Sequence, residues 1–174
     1  VSLQTLKFRT LQADFPYVKG DVIDAAVGLE PNEYLGQLRV SVLLKNIKLH
    51  DMVEDDLFVS MRDFSMLMRG KSEGFDASLL VPQRETTAKV YRYIRSVGRW
   101  NYDTETLCHR LDFWAEDYGQ VAVSVEAMLE MGILIRDENG GLSAPKTSEK
   151  VNLQDAPVLK RLRQHLTTGE CELP

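Results

Sequence analysis

Two runs of apolar alternation, separated by a polar loop, limit what the first third of this chain can become. Ile23, Ala25, Val27 and Leu29 alternate with Val22, Asp24, Ala26 and Gly28, and Leu38, Val40, Val42 and Leu44 repeat the pattern beyond the loop. A period of two is that of a strand with one buried face. Ile47 and Leu49 continue one residue out of phase, which predicts a bulge near Lys45-Asn46 that turns the second strand. Bent antiparallel pairs of this kind close small barrels. Leu6 and Phe8, after Val1 and Leu3, predict an earlier strand, so three strands are expected within residues 1–50.

The residues around these strands carry a second signal. Phe15-Pro16-Tyr17 is followed by Gly20-Asp21, by Asn32-Glu33-Tyr34 with Gly36, and then by the run from Ser41 to Ile47. In that order they resemble the end of the oligonucleotide-binding barrel of the RecJ family, Firmicutes-type bacterial exonucleases specific for single-stranded DNA. The resemblance extends more loosely through Arg92-Tyr93-Ile94-Arg95 to the run Pro157–Arg163. It implies a carboxy-terminal piece of a 5′–3′ exonuclease, a hydrolase of DNA recombination and repair. Its Mg²⁺ or Mn²⁺ would be held in catalytic domains outside this chain. Such a barrel has five strands, so the resemblance places the first residues here part-way through it. The partners implied are single-stranded DNA, held weakly by this piece, the nuclease core, and a single-strand-binding protein.

Beyond residue 50 the period changes to that of helices. Val53–Gly70 predicts a helix, with Glu54, Asp55 and Asp56 at its positive end and Leu57, Met61, Phe64 and Met68 on one face. The Gly, Ser and Pro of residues 71–82 read as a linker. A different succession follows: helix Arg84–Val97 burying Val90, Ile94 and Val97, a short strand Arg99–Tyr102, and helix Thr104–Leu111 capped by Asp103. Helix Tyr118–Met131, burying Val121, Val125, Met128 and Leu129, stops at Gly132. A hairpin through Ile133–Arg136 and Leu142–Ala144 then turns on Asn139-Gly140, a tight-turn pair. That order is the winged-helix arrangement. A last helix starts near Pro157 and runs to about Leu166. The expected fold class is therefore α+β: a partial oligonucleotide-binding β-barrel (1–50), a linking helix and linker (51–82), a winged-helix domain (83–166) and a tail (167–174).

No membrane-spanning run of ~20 apolar residues is present, and the chain opens without the charged-then-apolar order of a signal peptide. The expectation is a cytoplasmic fragment of a longer protein. Cys108 and Cys171 lie far apart and His50, His109 and His165 are scattered, so neither a disulfide framework nor a zinc site is predicted. The Asp-His-His run of the RecJ family is absent. The acids near His50 and Asp51 have a helix-dipole reason to stand where they do. No phosphate-binding glycine loop or Ser/His/Asp arrangement appears either. The fragment itself is expected to be no enzyme and to hold no cofactor.

The net charge of −5 is of the wrong sign for a strong nucleic-acid binder, so any basic surface must be local. Arg39, Ser41 and Lys45 fall opposite Val40 and Val42, Lys48 lies further on, and Asn32 and Tyr34 sit in the loop. Basic side chains beside an aromatic platform suit sequence-tolerant binding of single strands. Lys89, Arg92, Arg95 and Arg99, spaced three, three and four apart, form a second candidate stripe for DNA phosphates or an acidic peptide. Lys160, Arg161 and Arg163 form a lesser one. The third helix of the winged-helix succession carries no Lys or Arg, and its expected outer positions are Gln120, Ser124, Ala127 and Glu130. This surface does not suit duplex reading. It favours a protein-interaction module as the alternative and disfavours a sequence-specific transcription regulator.

One outcome follows from the missing metal motifs. The chain alone should leave labelled single-stranded oligonucleotide intact in Mg²⁺ or Mn²⁺. Hydrolysis that co-purifies with it, and disappears when Asp51, Asp55 and Asp56 are replaced together, would falsify that expectation.

Overall fold

The computed structural model describes residues 3–8, 10, 15–34, 36–50, 54–145 and 151–169. The chain forms two compact units, residues 1–52 and 53–174. No helix among the described residues is long and apolar enough to cross a membrane.

The first unit is a three-stranded sheet. β1 (Thr5–Leu6) runs parallel to β3 (Gln37–Leu49), and β3 pairs antiparallel with β2 (Ile23–Tyr34) on its other side. The described strands form an open sheet, not a closed barrel. Tyr34 pairs with Gln37 around a two-residue turn in which Gly36 takes φ +72. The register shifts between Ala26 and Val27: Ala26 faces Asn46 while Val27 faces Leu44, leaving Lys45 as the extra residue of a bulge. That extra residue brings Ile47 and Leu49 back into line with Leu38, Val40, Val42 and Leu44 on one face, while Leu43, also buried, lies on the other.

Burial on that face is uneven. Val42 and Leu49 are buried, whereas Leu29, Leu38 and Val40 are exposed by 67%, 76% and 61%. The expected half-buried pattern holds in β3 only at Val42 and Leu49 and fails in β2, where Ile23, Ala25, Val27 and Leu29 are all exposed. The Phe-Pro-Tyr and Gly-Asp residues build the approach to β2. Asp21 accepts from the Val18 amide at 2.8 Å, Gly20 takes φ +108 within that turn, and the Tyr17 hydroxyl donates to the Ile47 carbonyl at 3.1 Å.

The second unit is helical. α1 (Glu54–Met68) and a 3-10 turn (Ala77–Leu80) are followed by α2 (Arg84–Val97), α3 (Thr104–Arg110) and α4 (Tyr118–Glu130). A hairpin of β4 (Ile135–Arg136) and β5 (Leu142–Ser143) precedes α5 (Pro157–Gly169). Trp100 forms an antiparallel bridge to Leu142, adding a third short segment beside the hairpin. Asp103 caps α3, accepting from the Thr106 amide at 2.7 Å. The hairpin turn differs from expectation. Arg136 faces Leu142, the Asp137 amide donates to the Gly141 carbonyl, and only Gly140 of the Asn-Gly pair has positive φ. A two-residue type I′ turn needs positive φ at both central residues. This is instead a longer loop with glycine in the left-handed position.

α4 is the centre of the unit. Val121, Ala122, Val123, Ser124, Val125, Ala127 and Met128 are all buried, on every side of the helix. The expected outer positions Ser124 and Ala127 are thus interior, at 0% and 1% exposure, because α1, α2 and α5 all pack against this helix. Two further expectations shift by a position. The buried face of α1 runs through Leu57, Ser60, Asp63 and Leu67, leaving Met61 exposed, and Val97 is exposed at the end of α2. Residues 71–82 are no free linker: Leu80 is fully buried with Leu67, Val123, Ala127 and Leu162.

The tightest approach lies where α1 and the 3-10 turn meet the start of α4. A Cβ added at Gly119 would stand 2.3 Å from Leu80 Cδ2 and 3.1 Å from Ser60 Oγ. Gly119→Ala should therefore destabilise the second unit by about 1–3 kcal/mol, and Leu80→Ala by about 2–5 kcal/mol. In urea denaturation the double variant should be destabilised by clearly less than the sum of the two, since truncating Leu80 removes the clash. Additive effects would show that the two residues do not compete for the same space.

Candidate nucleic-acid interface

The polar face of the first sheet gathers most of the first candidate set. Asn32 pairs directly with Arg39, so both side chains leave the same face, opposite Val40 and Val42. Arg39 is exposed and its guanidinium lies 3.2 Å from the Gln37 side-chain carbonyl. Lys45 occupies the bulge with its stem over Gly28, where an added Cβ would meet Lys45 Cε at 2.9 Å. Glycine at that position leaves room for the lysine stem to lie along the sheet. Lys48 faces Asp24 across the strands, Nζ to Oδ2 3.8 Å, and His50 Nδ1 lies 2.9 Å from the other oxygen of the same carboxylate. Asp24 thus offsets part of the positive charge at that end. The side chain of Tyr34, and all of Asp51, lie outside the described residues.

The second candidate set is divided by the structure. Gly98, with φ +76, ends α2, so Arg99 leaves the helix. It bonds Asp137 of the hairpin, Nε to Oδ2 2.7 Å. An added Cβ at Gly141 would meet Arg99 Nε at 2.6 Å, so this ion pair lies directly over that glycine. Lys89 donates to the Leu111 carbonyl at the end of α3 and stands 4.7 Å from the Phe113 ring centroid. Arg95 lies 6.0 Å from the Tyr91 ring centroid and donates to its hydroxyl at 3.3 Å, and Arg92 Nε donates to the Ala88 carbonyl at 3.1 Å. Of the four cations, Arg92 and Arg95 remain exposed on α2 and, among the described residues, bond only within their own helix.

The third cluster is mostly structural. Arg161 turns inward to Glu130, at 3.5 Å, and to the Met68 carbonyl, at 3.4 Å. Its buried Nε has no partner among the described residues. Lys160 lies 3.7 Å from Asp155, and Arg163 donates to the Leu159 and Gln154 carbonyls. The acids Asp55 and Asp56 are exposed at the start of α1.

Three residues organise the unit: Ser60 and Asp63, which sequence patterns do not single out, and Glu130, expected at an outer position but with a side chain only 17% exposed. Ser60 accepts from the Gly119 amide at 2.8 Å and donates to the Glu116 carbonyl at 3.1 Å. Glu130 accepts from the Val158 amide at 2.7 Å, capping α5 from another helix. Asp63, its side chain 3% exposed, receives two bonds from Arg62 and one from the Asp76 amide. A polar residue on a helix is ordinarily read as outward-facing, and the partners of Ser60 and Glu130 are distant in sequence, so no local signal marks them. Burial, with Asp117 adding a smaller like-charge effect, pushes the Cys108 thiol up to about 12. It is a protonated core residue and a poor nucleophile.

Set against known proteins, the chain matches no protein family, no curated protein and no solved structure.

Asp137 supplies a pH-dependent test of the hairpin. The Arg99 hydrogen bond first, and then the Gly141 and Asn139 amides, hold its carboxyl below the ordinary value of 3.8. A depressed carboxylate stabilises the folded hairpin above its unfolded value and loses that contribution as pH falls through the folded one. The Asn139 and Gly141 amide resonances should therefore titrate with a midpoint under 3.8, and Asp137→Asn should remove the transition. A midpoint at or above that value would mean that Arg99 does not hold the carboxylate in solution.

Proposed function

We propose that this chain is the carboxy-terminal part of a RecJ-like exonuclease, a region without catalytic residues that guides single-stranded DNA for a nuclease core. The strand order carries this reading. In a five-stranded Greek-key barrel of the oligonucleotide-binding type, the last strand lies between the third and the fourth, parallel to one and antiparallel to the other. β3 lies between β1 and β2 in that way. The residues of the RecJ-like motif stand at structural positions of the same sheet: Tyr17 bonds β3, Gly20-Asp21 form the turn into β2, and Gly36 turns the hairpin. The polar face then offers Asn32, Arg39 and Lys45 as the strand-contacting surface, with Lys48 and Tyr34 beside them.

In the second unit, the order α2, Trp100 bridge, α3, α4, β4, β5 supports the winged-helix reading, and the bridge joins β5, which lies between Trp100 and β4. Its third helix is α4. A duplex reader needs that helix exposed and rich in donors for base edges, and α4 is interior and without Lys or Arg. This observation favours a second reading, in which the winged helix serves as a protein-interaction module. It also weighs against a transcription regulator.

Fluorescence anisotropy with a poly-dT oligonucleotide at several salt concentrations separates these readings. Binding at about micromolar or weaker affinity is expected, consistent with a sequence-independent electrostatic association. Arg39→Ala with Lys45→Ala should weaken it and reduce the log–log salt slope by about 1.4, or ~0.7 for each phosphate of the single strand that no longer meets a cation. Arg92→Ala with Arg95→Ala reports on the α2 surface separately. Abolished binding in that pair alone would move the DNA surface off the sheet. The absence of any salt-dependent binding would favour the protein-interaction module.

A further inference from the structure

Within the second unit, α2, α4 and α5 enclose a cavity of about 790 Å³, with residues 151–154 along one side. That is the size of a small-molecule site. Ala88, Tyr91, Met128, Ile133, Leu159 and Leu162 supply most of its apolar wall. Two of its polar groups lie together on facing helices. The Ser124 hydroxyl, on a fully buried residue of α4, lies 2.9 Å from the Thr87 hydroxyl of α2. The charged residues lining the cavity are Arg84 and Arg163, with no Asp or Glu among them. Acids nevertheless outnumber bases in the chain, 26 Asp and Glu against 21 Lys and Arg.

The two arginines differ. Arg163 is tied to the carbonyls of Leu159 and Gln154, so it forms part of the wall. Arg84 is the first residue of α2, where the helix dipole disfavours a cation. No ion pair or hydrogen bond of its side chain occurs among the described residues. An apolar cavity whose charged lining among the described residues is positive, with one arginine uncompensated and set against the helix dipole, is complementary to an anion with an apolar body.

We infer that this cavity binds a small amphipathic anion, an aryl or alkyl carboxylate or sulfonate. The apolar body lies against Met128, Ile133 and Leu162, and the head group meets Arg84 at the mouth. The chemistry is independent of the DNA-guiding role of the first sheet. It assigns a separate small-molecule site to the helical unit.

Anilinonaphthalene sulfonate is a suitable probe, because its fluorescence rises in an apolar site and its sulfonate supplies the charge. With the full chain, one molecule should bind per chain, and decanoate should displace it at about tenfold lower concentration than the uncharged decanol. Arg84→Glu places an acid where the dipole favours one, so folding is preserved, and it should weaken the probe about tenfold, equivalent to ~1.4 kcal/mol. Ala88→Trp, which fills the cavity from α2, should abolish binding with urea stability retained. Amide shifts on probe addition should map to Thr87, Ser124 and Met128. Equal displacement by decanol and decanoate, or unchanged affinity in Arg84→Glu, would overturn the anion assignment. Shifts confined to Leu29, Leu38 and Val40 of the sheet would overturn the site.

Discussion

The helical unit depends on a single close approach, at the first turn of α4. Gly119 has no side chain there, and the space it leaves is occupied by Leu80 and Ser60. The same place must satisfy an amide, because the first N–H groups of a helix have no partner within it. Ser60 answers both demands, filling space and accepting from the Gly119 amide while it donates to the Glu116 carbonyl. Replacing it by an apolar residue would leave a buried donor and acceptor unpaired, at a cost of about 1–3 kcal/mol for each. At the other end of α4, Glu130 performs a related task for α5. Helix ends here are completed by side chains of other helices, which fixes the relative placement of α1, α4 and α5 more tightly than apolar packing alone would.

That arrangement explains which features are legible in the sequence. Alternation in Val22–Leu49 locates the two long strands, and the phase slip locates the bulge at Lys45, because a period-two pattern is local. Asp103, Gly132 and Pro157 mark helix boundaries for the same reason. The inward face of α1 lies one position away from its apolar stripe because Ser60 and Asp63 are polar, and pattern alone puts polar residues outside. Their burial is explained by Gly119 and Asp76, partners that no window of a few turns contains. Ser124 and Ala127 have the small or polar side chains that on a helix ordinarily face solvent, whereas here they permit the close packing of neighbouring helices on α4. The basic stripe is half legible. Spacing places Lys89, Arg92 and Arg95 together, but the break at Gly98 and the distant Asp137 take Arg99 away from them.

Charge is handled differently in the two units. In the helical unit, arginines mostly close structural bonds: Arg62 to Asp63, Arg99 to Asp137, Arg161 to Glu130. The exposed Arg99–Asp137 pair contributes little stability, whereas Asp63 and Glu130 are buried or largely buried partners; all three pairs take positive charge off the surface. In the sheet, two acids share the polar face with the cations: Asp24, beside Lys48 and His50 at one end, and Glu30, paired with Ser41 further along. Arg39 bonds the Gln37 side chain and Lys45 lies over Gly28, with Glu30 between those two positions on the same face and no ion pair to either cation among the described residues. A net negative chain can still present positive positions where its cations are not ion-paired, and among the described residues Arg39, Lys45, Arg84, Arg92 and Arg95 meet that condition.

The apolar face of the sheet makes the strictest physical demand on the barrel reading. Leu29, Leu38 and Val40 stand on the same face as Val42 and Leu49, which are buried. Each fully buried Leu or Val side chain contributes roughly 1.5–3 kcal/mol relative to exposure, so the exposed three forgo a contribution comparable to the whole stability of a small domain. A sheet of three strands, one of them two residues long, has little else to offset that deficit. The proposed barrel would turn this face inward and leave the face with Asn32, Arg39 and Lys45 outside. The bulge at Lys45 serves both requirements at once. It keeps Ile47 and Leu49 on the face of Val42 and Leu44 and sets a lysine on the opposite face above Gly28, so the feature that shapes the sheet is also the one that places its charge.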